Sequence, residues 1–337
     1  MTTASEAPQP DERPFNDADE TSDRKHPRRT DPDEAGLMPW LKLMRLPTVF
    51  TALSNVLCGY LITSPVELRR LPFDRTLWML LACSAGLYLS GMVLNDVFDA
   101  QLDSEERPER PIPSGQISRR AAAIFGSLLM GLGILAGGTV GTATLITALG
   151  LAACVIAYDR FLKATIAGPL AMGSCRALNI LLGTTASATG FVEIFTSMPS
   201  AGIAAALGVY VVGVTLFARN EAGRSSQTAL VSSLSVVAAG LGIDAWIVTQ
   251  YSSHATAGRA GLILIGVLCA QLLWRSTMAI RSGVPRVLQQ TVGLMLLSIV
   301  IIDTTMVLSM TGRGQLAIIP LVLMIPARLL RRVIPMS

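Results

Sequence analysis

Long uncharged apolar stretches dominate the chain after residue 36, and their lengths predict membrane-spanning helices. A helix that rises 1.5 Å per residue needs about 20 residues to cross roughly 30 Å of hydrocarbon. The uncharged stretches that reach this length are 46–66, 76–95, 121–158 and 194–218. Weaker stretches, each with a charge inside or near an end, are 164–190, 226–250, 260–280, 287–308 and 315–330.

The stretch 121–158 is long enough for two helices. Gly137 and Gly138 lie near its middle and predict a tight hairpin between them. The pattern therefore predicts an all-α polytopic membrane protein, a bundle of nine transmembrane helices, or ten if 315–330 also crosses. If 315–330 does not cross, it is a packed or interfacial helix.

The first 36 residues have a different composition from the rest of the chain. They contain ten acidic and five basic residues together with many Pro, Ser and Thr, and no apolar run. Such a segment cannot bury enough apolar surface to fold. We predict a disordered cytosolic tail over 1–36 and a transmembrane domain over 37–337. The tail lacks the features of a secretory signal, so no cleavage is expected.

Composition excludes several classes of protein. The chain is 51% hydrophobic and only 15% charged, with a mean hydropathy of +0.53, which is unlike a soluble protein. A nucleic-acid surface would need more Lys and Arg than these loops carry, so no nucleic-acid partner is expected. The five cysteines lie in apolar stretches without a CxxC pair and are interpreted as buried small hydrophobes.

The distribution of basic residues predicts the orientation in the membrane. When the N-terminus is placed in the cytosol, most Lys and Arg of the connecting loops fall on the cytosolic side. We therefore expect an integral membrane protein with its N-terminus and its active site on the cytosolic side; in a bacterium this would be the inner or plasma membrane.

Acidic residues cluster in one short segment that continues an apolar helix. Six of the 13 acids after residue 36 lie between 96 and 109. Offsets of three and four place Asp96, Asp99 and Asp103 on one helix face, beside Asn95. Like charges at a membrane boundary repel each other unless a cation lies among them, and oxygen ligands without His or Cys favour Mg²⁺ completed by substrate phosphates. The alternative is a solvated acidic helix end.

A proline-rich loop follows directly. Residues 107–115 read Arg-Pro-Glu-Arg-Pro-Ile-Pro-Ser-Gly, and the prolines reduce the entropy lost in holding Arg107 and Arg110 in place. Guanidinium groups pair bidentately with phosphate, so both arginines are candidate phosphate ligands. The alternative is an ordinary cytosolic loop that obeys the positive-inside rule.

Polar residues inside the predicted spans need an explanation as well. Arg176 and Asn179 lie in the middle of a span, where a charge costs at least a few kcal/mol unless it faces a polar cavity. We expect Arg176 to line the site, and pairing of this arginine with carbonyls of another helix is the alternative. Asn179, on the same stretch, is a candidate for substrate binding. Asp244 and Asp303 are interpreted as helix-end or interhelical hydrogen-bonding residues.

The motif Asn95-Asp96-x-x-Asp99-x-x-x-Asp103, followed by the Arg-Pro-Ile-Pro-Ser-Gly at 110–115, resembles the first aspartate-rich motif of the UbiA superfamily of intramembrane prenyltransferases. The resemblance extends over about 40–330. It implies a helical bundle with a cytosol-facing cavity, in which Mg²⁺ holds a polyprenyl diphosphate whose prenyl chain is moved onto an acceptor. It also implies that Asn95, Asp96, Asp99 and Asp103 are Mg²⁺–diphosphate ligands.

Two further segments follow from the same resemblance. Lys163, after Tyr158, matches a lysine that contacts diphosphate in the family, with interfacial anchoring as the alternative. The family usually carries Asp-x-x-x-Asp after its sixth helix, but 218–225 here reads Ala-Arg-Asn-Glu-Ala-Gly-Arg-Ser with one acid, Glu221. This departure resembles the EboC-like branch of the family. Glu221 would hold one metal, and Arg219 or Arg224 would neutralise diphosphate directly.

The aspartate motif, the proline-rich loop and the family resemblance together predict a Mg²⁺-dependent transferase. It would move a prenyl group from a polyprenyl diphosphate to a small aromatic or lipid-like acceptor and release diphosphate. The predicted catalytic residues are Asp96, Asp99 and Glu221. The predicted metal ligands are Asn95, Asp96, Asp99, Asp103 and Glu221. The predicted substrate-binding residues are Asn95, Arg107, Arg110, Lys163, Arg176, Asn179, Arg219 and Arg224. The alternative is a non-catalytic carrier of an isoprenoid or precursor with the same fold.

Overall fold

The computed structural model describes residues 36–64, 66–221 and 227–334, without the side chains of Asn220 and Glu221. The described residues form helices and contain no strand. The predicted disordered tail lies almost wholly outside the described residues. The helices are α1 Leu37–Leu43, α2 Val49–Thr63, α3 Arg75–Phe98, α4 Ala100–Glu106, α5 Arg119–Gly138, α6 Thr142–Ala157, α7 Gly168–Thr184, α8 Phe191–Thr196, α9 Ser200–Glu221, α10 Gln227–Tyr251, α11 Ala255–Ser282, α12 Pro285–Thr311, α13 Gly314–Val322 and α14 Met324–Val333.

Eight helices in the described part of the chain are long and apolar enough to cross a membrane. They are α2 with its preceding turn, α3, α5, α6, α9, α10, α11 and α12. The all-α polytopic bundle is therefore confirmed, whereas the count of nine or ten spans is not. A further helix, α7, has only 17 residues and packs between α2 and α9. It begins at Gly168, after a π-helical turn over Tyr158–Leu162, and ends at Thr184, so it is shorter at both ends than the predicted stretch 164–190.

The last predicted span is broken into two short helices. α13 ends at Val322 and α14 begins at Met324. The physical reason is Pro326, which has no backbone N–H to donate to the carbonyl of Val322 and whose ring crowds that carbonyl. α13 packs against α12 and α2, and α14 packs against the turn Leu46–Thr48 that precedes α2.

The predicted hairpin in 121–158 is present, since α5 ends at Gly138 and α6 begins at Thr142. Successive long helices therefore run in opposite directions. One end of the bundle collects the C-terminal end of α3 and the N-terminal ends of α2, α5 and α7. We call it the motif end, because Asp96 and Asp99 lie there.

A small second core holds the proline-rich loop against the motif end. It is built from Leu43 of α1, Val93 and Val97 of α3, and Ile112 and Ile117 of the loop, each at most 9% exposed. Burying these side chains fixes the loop beside the last turn of α3. The loop arginines are thereby placed next to the aspartate cluster.

Candidate functional site

The last turn of α3 presents the aspartate motif. Asn95 and Asp96 lie in that turn, α3 ends at Phe98, and Asp99 joins it to α4, which carries Asp103. The predicted continuous helix face is thus interrupted at Asp99. Asp96 and Asp103 still converge and are only 5% and 4% exposed.

Arg110 of the proline-rich loop connects these two buried carboxylates. Its Nη1 lies 2.7 Å from Asp103 Oδ2 and 3.6 Å from Asp96 Oδ1, and the residue is 5% exposed. The guanidinium Nε is buried without a hydrogen-bond partner among the described residues. One donor of this arginine is therefore left for another acceptor.

The other two cations of the cluster come from two connecting segments, one before α2 and one after the π-helical turn. Arg45 Nη2 lies 2.9 Å from Asp96 Oδ1, and Lys163 Nζ is ion-paired with Asp99 Oδ1. Each carboxylate of the motif therefore has a cationic partner from the chain itself. This arrangement relieves the repulsion that the spacing alone predicts.

No group of three or more His, Cys, Asp or Glu side chains in the described part of the chain is arranged to hold a metal. The structure therefore presents the aspartates as members of ion pairs, and the assignment of Asn95, Asp96, Asp99, Asp103 and Glu221 as metal ligands stays a prediction.

Arg45 is a site residue that the sequence argument did not select. It lies between α1 and the turn Leu46–Thr48 in the left-handed conformation, with φ 46° and ψ 44°. For a non-glycine residue this backbone conformation is strained, and such strain tends to occur at functional sites. Its only signal in the sequence is an arginine directly before an apolar span, which the positive-inside rule already explains.

Asp159 is the second residue that sequence reasoning missed. It lies on the π-helical turn Tyr158–Leu162, is 5% exposed, and accepts a hydrogen bond of 3.1 Å from Asn95 Nδ2. The same turn leads to Lys163, four residues further on. π-helical turns are rare and often mark functional sites. This one directs both an acid and a base toward the end of α3.

The remaining loop residues behave differently. Arg219 donates to the carbonyls of Thr165 and Ala164 at 2.6 and 3.3 Å, so it holds the segment between the π-helical turn and α7. Arg107 is exposed. The side chain of Glu221 and all of Arg224 lie outside the described residues, so the predictions for the second acidic motif stay untested.

Arg176 lies deeper in the bundle, among polar side chains. Its Nη1 is 3.3 Å from Asn55 Oδ1, and its guanidinium lies 5.3 Å from the centre of the Tyr88 ring. Asn55 in turn donates to Asp303 Oδ2 at 2.8 Å, and Ser54 donates to the same oxygen at 2.6 Å. Asp303 therefore joins α12 to α2 by interhelical hydrogen bonds.

Asn179 does not share this network. It donates to the carbonyl of Ala52 at 2.7 Å and accepts from Ser84 at 2.8 Å. Both of its polar side-chain atoms form hydrogen bonds to other helices, and its role in substrate binding stays a prediction.

The protein is thus a polytopic helical membrane protein with a cluster of paired acidic and basic residues at one end of its bundle. Residues 52–275, more than half of the chain, match the model of the UbiA prenyltransferase family. The chain belongs to this family.

The relatives agree with this assignment. A digeranylgeranylglyceryl phosphate synthase from Metallosphaera sedula is 32% identical over 146 residues, which is 43% of this chain and 50% of the relative. The chain thus matches only about half the length of this curated relative.

Two solved structures share the fold. One, described as digeranylgeranylglyceryl phosphate synthase in membranes, has a TM-score of 0.60 at 18% identity and covers 82% of this chain and 99% of its own. The other is a UbiA homolog from Archaeoglobus fulgidus bound to GPP and Mg²⁺, with a TM-score of 0.55 at 14% identity, covering 80% and 99%. At these identities the likeness concerns the fold.

Proposed function

We propose that this protein transfers a prenyl group from a prenyl diphosphate to an acceptor in the membrane, in a Mg²⁺-dependent reaction at the motif end. The observation that carries the proposal is the cluster in which Asp96, Asp99 and Asp103 alternate with Arg45, Arg110 and Lys163. Membership of the UbiA prenyltransferase family and the GPP and Mg²⁺ bound to the Archaeoglobus fulgidus homolog support it.

The donor set of the cluster suits Mg²⁺. Asp96 and Asp99 offer carboxylate oxygens and Asn95 offers an amide oxygen, and the hard Mg²⁺ ion prefers oxygen ligands. Glu221, at the end of α9, would supply a ligand from the other half of the bundle. The ion, when bound, would neutralise charge on the diphosphate oxygens. Asp103, held by Arg110, would position this arginine.

The cations of the chain itself would hold the leaving diphosphate. Arg45, Arg110 and Lys163 come from three separate segments. Arg45 and Arg110 both approach Asp96, Arg110 also pairs with Asp103, and Lys163 pairs with Asp99. Arg110 Nε is buried without a partner among the described residues, so a phosphate oxygen would satisfy it. Donors fixed where negative charge develops lower the barrier to ionisation of the prenyl–oxygen bond.

Arg176, Asn55 and Tyr88 would face the acceptor. Tyr88 lies seven residues before Asn95 on α3, a rise of about 10 Å toward the middle of the bundle. Exclusion of water from this level would protect a reactive prenyl cation. Because the relative from Metallosphaera sedula is a digeranylgeranylglyceryl phosphate synthase, we favour a lipid-like phosphate acceptor over an aromatic one.

The first test is diphosphate release from geranylgeranyl diphosphate by the purified protein with Mg²⁺ and a membrane extract as the source of acceptors. Asp96→Asn and Asp99→Asn should each lower the rate by about 100-fold or more, the usual loss when a charge-stabilising group is removed. Glu105→Gln, which removes an exposed acid from the adjacent α4, is the matched control and should leave the rate unchanged.

The same assay distinguishes a prenyltransferase from a non-catalytic carrier. If the protein binds a prenyl diphosphate with Mg²⁺ and Asp96 and yet releases no diphosphate, whatever the length of the prenyl chain, the result would favour the non-catalytic carrier over the transferase. Unchanged binding in both aspartate variants would remove the metal site altogether. Glu221→Gln tests the second acidic motif in parallel.

A further inference from the structure

A groove lies between α12 and α14 on the outside of the bundle, apart from the aspartate cluster. It has a volume of about 670 Å³ and is lined by Arg286, Gln289, Gln290, Gly293, Leu294, Leu297 and Arg331. All of these except Arg331 belong to α12, at spacings of one, three and four residues, so they form one face of that helix.

The polarity of this face falls steadily along α12. It begins with Arg286 next to the helix start at Pro285, continues with the two exposed glutamines, and ends with Gly293, Leu294 and Leu297. From residue 286 to 297 the helix rises about 16 Å. A membrane phospholipid has the same order over a similar distance: a phosphate, then the glycerol esters, then the acyl chains.

The charged end of the groove suits a phosphate. Arg286 and Arg331 approach it from two helices, and Arg331 Nε is buried without a hydrogen-bond partner among the described residues. The amide N–H groups of Gln289 and Gln290 offer donors to ester carbonyls. Gly293 leaves a depression, since an added Cβ would contact nothing within 4 Å.

The groove does not suit a prenyl diphosphate. A diphosphate carries more charge and is usually bound together with Mg²⁺, which needs carboxylate ligands. None of the groove residues is acidic. Two guanidinium groups and two amides match the single negative charge and the ester groups of a phospholipid instead.

We propose that this groove is a binding site for an anionic phospholipid of the membrane leaflet at the motif end. The phosphate lies between Arg286 and Arg331, the ester groups lie at Gln289 and Gln290, and one acyl chain covers Gly293, Leu294 and Leu297. The bound lipid bridges α12 and α14 and so holds the last helix of the chain against the bundle.

The test is a titration of the delipidated full chain in detergent with phosphatidylglycerol and, separately, phosphatidylcholine, with bound lipid counted by native mass spectrometry. We expect the protein to prefer phosphatidylglycerol. Arg286→Gln combined with Arg331→Gln should weaken this binding about 30-fold, which corresponds to about 1 kcal/mol for each arginine at an anionic surface.

Two controls separate the groove from general surface charge and from misfolding. Arg328→Gln combined with Arg332→Gln removes two charges from α14 outside the groove and should have a much smaller effect. Gly293→Leu keeps every charge but fills the depression, and it should also weaken binding. All variants are compared by size-exclusion chromatography first.

Three results would overturn the proposal. They are equal affinity for the two phospholipids, an equal loss in the two double-arginine variants, and unimpaired binding in Gly293→Leu. Geranylgeranyl diphosphate is added as a competitor with and without Mg²⁺. If it displaces phosphatidylglycerol and its own binding needs Arg286 and Arg331, the groove belongs to the prenyl substrate.

Discussion

Arg110 is the residue on which the geometry of the aspartate cluster depends. It is buried, contacts both Asp103 and Asp96, and its backbone carbonyl accepts a hydrogen bond from Ser114. The proline-rich loop is therefore fixed at its charged centre as well as through its apolar residues. Arg110 therefore pairs with the acids and also holds the proline-rich loop beside the aspartate cluster.

Arg110→Gln should destabilise the protein by about 3 kcal/mol or more, because it leaves the buried Asp103 carboxylate without its partner. The measurement is unfolding of the detergent-solubilised protein by heat or by denaturant. Arg107→Gln removes an exposed arginine from the same loop and is the matched control.

The double variant Asp103→Asn, Arg110→Gln should recover part of the lost stability, because the unpaired charge is then absent. Equal stability of Arg110→Gln and Arg107→Gln would show that the buried pair does not anchor the loop.

Among the helices, α2 and α7 cross with their backbones in close contact. Gly59 of α2 and Gly183 of α7 lie at this crossing. A Cβ on Gly59 would collide with the carbonyl of Ile180, and one on Gly183 with the carbonyl of Val56. Small residues permit such close backbone contact between membrane helices. The crossing brings Asn55 of α2 beside Arg176 of α7.

Gly183→Ala should therefore lower stability by about 1–3 kcal/mol, the usual cost of overpacking. In contrast, Gly150→Ala on α6 meets open space and should be neutral or stabilise by up to about 1 kcal/mol through its better helix propensity. Thermal unfolding of the two variants under identical conditions makes the comparison. A Gly183→Ala protein as stable as the parent would show that the helices can separate without loss.

In the molecule as a whole, the alternating direction of the helices places the aspartate cluster at one end of the bundle and not at the other. The motif end holds the aspartate cluster and the charged end of the groove between α12 and α14. The loop between α10 and α11 lies at the opposite end, where Ser253 donates from its backbone to the Ser309 carbonyl of α12.

The positive-inside rule predicts that the motif end is cytosolic. In a variant with its five cysteines replaced by alanine, Glu105→Cys should react with a membrane-impermeant maleimide only when the cytosolic face is accessible. Thr256→Cys, in the opposite end of the bundle, should react only from the other face. Both positions are exposed. The reversed labelling pattern would show that the motif end does not face the cytosol and that the predicted orientation is wrong.

The pattern of apolar runs and the spacing of the aspartates were enough to predict the fold class, most helices and the aspartate motif. In a membrane each helix satisfies its own backbone hydrogen bonds, so a long apolar run predicts a span without reference to the rest of the chain. One exception is also local. Pro326 breaks the last span, because it interrupts the helical hydrogen-bond pattern.

The partners of the charged residues, in contrast, follow from how the helices pack. Asp96 forms an ion pair with Arg45, 51 residues away in the sequence, and Asp99 forms one with Lys163, 64 residues away. Asp303 accepts a hydrogen bond from Asn55, 248 residues away. The spacing of the aspartates predicts a shared helix face, but it does not contain the partners that neutralise them. Partner choice depends on how the helices pack and on the cost of burying an unpaired charge, and both belong to the folded bundle as a whole.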